Sequence, residues 1–414
     1  MTARLTALLE SLANPDTASA APALCLATGP LGPALLHLMH DPDRAHPWIE
    51  AATSGGLTTD RATLFYGLPA LAFVLSYAPE DRYTRDRALL TRHLTDLAHH
   101  RTRTAHQRID QHRTPTYSEY DLVSGLTGIG VALMRTAPHS TALEQVLTYL
   151  VRLTEPLPTD QGHKPGWWVH HDPRMIDDDA FPHGHMNLGM AHGISGVLAF
   201  LALDHRAGRH VPGQQGAIRR LCETLDLWQR RDAHGSWWPG WVTTPNPEQQ
   251  PQPLNRPGPP SWCYGAPGIA RARQLAGRAL QDYTLQHTAE HALLACLQRA
   301  KHQNSSSDDG LCHGSSGLLQ ALLRATHDHA TTTKASELAQ ATDEIQAALM
   351  ESPRSGEATD IGLLEGRTGT ALVLSTRTGS PTPAWDALLL LANEPHHAHE
   401  PAPSVRGRAG PDQR

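Results

Sequence analysis

Seven times along this chain, a glycine, two residues and a second glycine or small residue open an apolar, helix-like run. The copies are Gly29-Pro-Leu-Gly32, Gly67-Leu-Pro-Ala70, Gly125-Leu-Thr-Gly128, Gly193-Ile-Ser-Gly196, Gly265-Ala-Pro-Gly268, Gly314-Ser-Ser-Gly317 and Gly366-Arg-Thr-Gly369. Their first glycines lie 38, 58, 68, 72, 49 and 52 residues apart, which leaves room for a second helix between copies. A repeated unit that cannot bury its own apolar face must stack on its neighbours. Five intervening stretches mix apolar and polar positions at helical spacing: Arg87–His99, Leu143–Leu153, Gln215–Gln229, Thr288–Arg299 and Ala335–Met350. The runs behind the glycines are apolar nearly all round and belong inside; the amphipathic partners belong outside. Glycine at the turn permits positive φ or close approach of another backbone. The expectation is an all-α fold, an α/α toroid of about seven helix pairs with its glycine turns at one mouth. An open helical solenoid is the competing architecture.

Composition removes several classes. Hydrophobic residues are 39% of 414, an ordinary globular content once 33 glycines are added. Lys+Arg is 35 against Asp+Glu 41, without one long basic run, which argues against phosphate-driven nucleic-acid binding. No apolar run reaches the roughly 18 residues of a membrane helix. Met1–Pro15 does not read as a signal peptide, so the expected compartment is the cytoplasm. Five cysteines are too few, and odd in number, for a disulfide framework. The expected organisation is one domain over residues 1–394 with a disordered tail, 395–414. Irregular insertions are expected at about 156–186 and 232–261. In the second, Trp237–Thr244 reads as a short strand pair and Pro245–Pro260 as a loop.

Chemistry gathers on the repeat turns. Cys263 stands two residues before Gly265, and Cys312 and His313 stand directly before Gly314. Equivalent turns of a toroid converge, so these three can meet. Two thiolates and an imidazole suit zinc, with a fourth position left open as in catalytic sites. The alternative is that both cysteines are merely small turn residues. His192 begins the fourth turn and Asp121 lies just before the third, facing the same mouth. A histidine there suits general acid–base work; each residue alone could equally be a turn or capping residue. Cys25, Cys222 and Cys296 sit in apolar or helical contexts and read as inert buried thiols.

These motifs resemble the lanthionine synthetase C-like cyclases. The resemblance is carried by Asn187-Leu-Gly-Met-Ala-His192-Gly-Ile-Ser-Gly196, Trp262-Cys263-Tyr-Gly-Ala-Pro-Gly268 and Cys312-His313-Gly-Ser-Ser-Gly317. Tyr120-Asp121-Leu-Val-Ser-Gly125 and Leu364-Glu365-Gly366 extend it, from about residue 24 to 376. It implies an α/α barrel of seven helix pairs and one zinc ion held by Cys263, Cys312 and His313. His192 then matches the acid/base, Asp121 its neighbouring carboxylate, and Tyr264 a tyrosine beside the metal. The family arginine before the first zinc cysteine falls here on Pro259; the nearest arginine, Arg256, is the candidate to return to the site.

The implied reaction is addition of peptide cysteine thiols to dehydroalanine or dehydrobutyrine, closing thioether rings. No dehydratase-like region fits ahead of residue 24, so the implied partners are a dehydrated precursor peptide with a leader and a separate dehydratase. Three other readings compete: addition of glutathione or another small thiol to dehydrated residues, a non-catalytic peptide-binding scaffold, and a zinc prenyltransferase. Aromatic residues at 5% speak against the last.

Overall fold

A computed structural model describes residues 2–15, 22–56, 61–159, 162–173, 181–246, 248, 257–302, 308–329, 335–352, 360–376 and 384–392. A short N-terminal helix, α1 (Ala3–Ser11), precedes the repeats. Inner and outer helices then alternate: α2 (Leu31–His40) with α3 (Pro42–Thr53), and α4 (Leu68–Leu75) with α5 (Thr84–Asp110). After the single turn α6 (Tyr117–Tyr120) come α7 (Leu126–Thr136) with α8 (Thr141–Leu153), and α9 (Ile194–Arg206) with α10 (Gln214–Leu227). The ring continues through α11 (Ala266–Leu280) with α12 (Tyr283–His302), α13 (Ser315–His327) with α14 (Ala335–Glu351), and a last inner helix, α15 (Arg367–Ser375).

Burial separates the two rings. All eight residues of α4 are buried, as is Leu126–Met134 of α7. The outer helix α5 instead buries one stripe, Leu90, Leu94, Ala98, Thr102, Ala105 and Arg108. Each inner helix packs on the next, and α15 packs back on α2, so the toroid closes. The seventh pair is not made by adjacent sequence: α15 takes α1 as its outer partner. Leu5, Leu8 and Leu12 are buried there, and the His37 ring on α2 holds Leu12 O at 2.7 Å.

The interior is also filled from the C-terminal side. Residues Trp385–Leu389 form a 3₁₀ turn within the buried run Ala384–Leu391. Asp386 takes Gln320 and Arg324 of α13, Leu391 O accepts from Arg271 of α11, and Ala384 O accepts from Tyr77.

The small strands depart from expectation. Trp237–Thr244 does not pair with itself. Gly235–Trp237 pairs with Arg230–Asp232, and Trp241–Val242 pairs with Met186–Asn187. Inward burial of Trp237 and Trp238 divides the segment, with Trp238 Nε1 donating to Leu225 O at 2.7 Å. The first insertion carries the hairpin Leu157–Thr159 with Gly162–Lys164. Among the described residues, no helix is long and apolar enough to cross a membrane. The expected tail, 395–414, lies outside the described residues.

Candidate metal centre

The turns owe their repeated form to close packing more than to backbone freedom. Among the seven first glycines only Gly67 has positive φ, 76°. At the second glycine of five turns (Gly128, Gly196, Gly268, Gly317 and Gly369), an added Cβ would lie 1.9–2.4 Å from the carbonyl oxygen six residues earlier. Any side chain there would force the turn off its helix. Between the glycines, Thr127, Ser195, Ser316 and Thr368 each donate to the carbonyl seven residues back.

Backbone hydrogen bonds then join turn to turn around the mouth. Leu26 N donates to Phe65 O, Leu122 N to Ala191 O, and Met190 N to Cys263 O. Cys263 N reaches Cys312 O, Cys312 N reaches Leu364 O, and Leu364 N reaches Ala27 O. Between the second and third turns the Arg101 guanidinium bridges instead, donating to Ala62 O and Ser124 O. This girdle brings residues from distant sequence to one rim.

On it, the ligand atoms of Cys263, Cys312 and His313 all lie within 4.8 Å of one another. Cys312 Sγ and His313 Nε2 are 3.9 Å apart. Tetrahedral zinc with bonds of about 2.0–2.3 Å places its ligand atoms at comparable separations, and two sulfurs with one imidazole are a zinc donor set. His313 Nδ1 is taken by Glu365 Oε1 at 2.8 Å, so Nε2 is the nitrogen turned to the thiols. A carboxylate behind a ligating imidazole fixes its tautomer and raises its basicity. Glu365 was not singled out by sequence reasoning, although it stands directly before Gly366 as His313 stands before Gly314.

The three groups polarise one another. Cys263 is held well below the ordinary thiol range by Cys312 and His313, against the opposing effect of burial. Cys312, half-buried beside it, is pushed up by that neighbour. His313 is raised by Cys263 and Glu365. The remaining thiols behave otherwise: burial pushes Cys222 and Cys296 up to about 12, and Cys25 is buried.

The second half of the site faces the cluster. His192 Nδ1 meets Asp121 Oδ2 at 2.5 Å. Asp121, fully buried, accepts Ser124 N at 2.6 Å and Gly125 N at 2.9 Å on Oδ1, so its carboxylate cannot swing. Tyr264 follows Cys263 and tilts toward the His192 ring, centroids 6.0 Å apart. Its phenol is pushed up by burial and by the thiols of Cys263 and Cys312. Trp241 packs edge-on against Tyr264 at 6.2 Å. The structure thus brings together six of the seven residues drawn from sequence. The seventh, Arg256, lies outside the described residues.

The description "Lanthionine synthetase C-like protein" matches residues 24–390. The chain belongs to the lanthionine synthetase C-like family. Among curated members it is similar to the nisin biosynthesis protein NisC of Lactococcus lactis subsp. lactis, 25% identical over 268 residues, or 63% of this chain. That match spans 61% of NisC's own length. Among solved structures it resembles a nisin cyclase, with TM-score 0.73 and 21% identity, over 89% of this chain and 92% of that one. The likeness establishes the fold of this lanthionine synthetase C-like protein as an α/α toroid.

Proposed function

We propose that the chain is a zinc-dependent lanthipeptide cyclase. The observation that carries this reading is the Cys263, Cys312 and His313 cluster, its donor atoms within 4.8 Å, on the same rim as His192 and Asp121. The chemistry zinc supplies when bound is the acidification of an incoming thiol, so that it reacts as a thiolate.

The chain's own residues then manage protons and charge. The substrate's cysteine sulfur bonds to the β-carbon of dehydroalanine or dehydrobutyrine, and the double-bond electrons move to an enolate. His192 presents Nε2 to the substrate because Nδ1 is committed to Asp121. That nitrogen takes the thiol proton and returns one to the α-carbon, so nothing leaves and the mass is unchanged. Asp121 holds the ring in one tautomer and stabilises the imidazolium between the two transfers. Tyr264 stays a neutral phenol at physiological pH and is a hydrogen-bond donor for the developing enolate oxygen. Arg256 is a further candidate for that oxygen.

The substrate is a dehydrated precursor peptide with a leader, supplied by a separate dehydratase in the cytoplasm. Incubation of zinc-loaded protein with a dehydrated Cys-containing peptide tests this. Because ring closure is mass-neutral, thiol alkylation followed by mass spectrometry counts it. Loss of alkylatable thiol only with wild-type protein is expected. Retained peptide thiols together with consumption of added glutathione would replace this reading with small-thiol addition.

A further inference from the structure

A buried network lies behind His192 and takes no part in the steps above. Tyr117, 1% exposed, stacks on the His192 ring with centroids 5.1 Å apart and planes at 17°. Its hydroxyl pairs with His185 Nε2 at 2.5 Å and accepts from Asn187 Nδ2 at 3.0 Å. Asn187 is fully buried, its Oδ1 accepts Gly189 N at 2.8 Å, and its strand is pinned to Trp241–Val242.

The same amide reaches the metal side. A Cβ added at Gly189 would lie 2.4 Å from Cys263 O, 3.0 Å from Tyr264 Cα and 3.1 Å from Asn187 Oδ1. Asn187 and the Cys263-Tyr264 backbone therefore press on one spot that only glycine leaves open. One side chain thus holds the tyrosine under His192 and, across Gly189, lies beside the backbone of Cys263 and Tyr264.

We propose that Tyr117 and Asn187 are positioning residues that lock the His192 ring in register with Tyr264 and the metal cluster. The stack fixes the plane of the imidazole, the Asp121 contact fixes its rotation, and Asn187 ties that plane to the neighbouring turn. The proposal rests on the reading of His192 as the proton-transfer group, and its test has one arm that does not.

Tyr117→Phe keeps the stack and deletes the hydroxyl. Asn187→Asp keeps the size and replaces the donor by an acceptor. Both are expected to keep the zinc content and KM of the wild type while kcat falls about 10–100-fold, the scale of a misplacement of about 1 Å. In parallel, the His192 ring signal is followed by NMR in ¹³Cε1-histidine-labelled protein without substrate, assigned through its loss in His192→Gln. A displaced His192 signal in either variant supports the positioning role. An unmoved signal in both overturns it, as does a kcat loss matched by equal loss of zinc and melting temperature. If the wild type turns over no peptide, the functional reading fails while the NMR arm still decides the positioning claim.

Discussion

Trp262 and Leu389 stand 127 residues apart, yet the indole Nε1 donates to the leucine carbonyl at 2.9 Å. Trp262 immediately precedes Cys263, so the C-terminal plug is one bond removed from the metal cluster. Asp386 anchors that plug on Gln320 and Arg324 and is fully buried. Asp386→Ala removes the buried carboxylate that Gln320 and Arg324 share, and breaking a buried pair costs about 3–5 kcal/mol. Urea unfolding is expected to show a loss of that size, accompanied by weaker zinc retention on dialysis against a mild chelator. Full zinc retention at reduced stability would separate the plug from the site.

Metal content should follow the cluster. Cys312→Ala and Cys263→Ala are each expected to take zinc from about one per chain to background, read by elemental analysis. Glu365→Gln keeps all three donor residues but loosens the imidazole, and a 10–100-fold weaker zinc affinity is expected from competition with a chromophoric chelator. An unchanged affinity would relieve Glu365 of its orienting role.

The Asp121–His192 contact sets a kinetic expectation. Asp121→Asn keeps the shape while altering the tautomer that His192 presents. Cyclisation should fall on the order of 10²–10⁴-fold with zinc content intact. A variant within a few-fold of wild type would remove His192 from proton transfer.

Stability should decline in mild acid. Burial lowers His185 from 6.5 to about 4, with His171 nearby opposing its charge and Asp172 favouring it. His37 is likewise lowered by burial. A depressed folded-state pKa contributes stability that is whole above the unfolded value and is lost as pH falls toward the folded one. The melting temperature should therefore drop between about pH 6.5 and 4. In His185→Gln the slope across this window should be shallower.

The turn geometry gives a last expectation. At Gly317 an added Cβ would lie 1.9 Å from Leu311 O, a backbone atom that cannot step aside. Gly317→Ala should cost more than about 3 kcal/mol. A substitution at Gly55, where nothing lies within 4 Å, should be nearly silent.

The inner ring and its mouth were legible because a glycine opens all seven turns and five of them also leave no room for a Cβ at the second position, a constraint that recurs at one offset along the sequence. The cluster was legible for the same reason: Cys263, Cys312 and His313 sit at fixed distances from those glycines. Helix α1 was not, since nothing in Ala3–Ser11 announces a partner at Arg367–Ser375. The plug escaped too, because its anchors, Asp386 and three main-chain carbonyls, are specified by tertiary contact rather than by period. Strand pairing of Trp241–Val242 with Met186–Asn187 was missed because two-residue strands carry no register signal of their own. Tyr117 and Asn187 became visible only once the third and fourth turns were in contact.

The closure of the ring by α1 on α15 has a consequence for synthesis. Domains fold from the N-terminal end as the ribosome releases them, but α1 leaves before every other helix of the ring and α15 after them all. Throughout that interval Leu5, Leu8 and Leu12 lack the cover that α15 gives them, and the face of α2 that meets α15 is bare. The nascent chain is therefore an open arc with two greasy ends, and its most vulnerable moment is the release of the final inner helix.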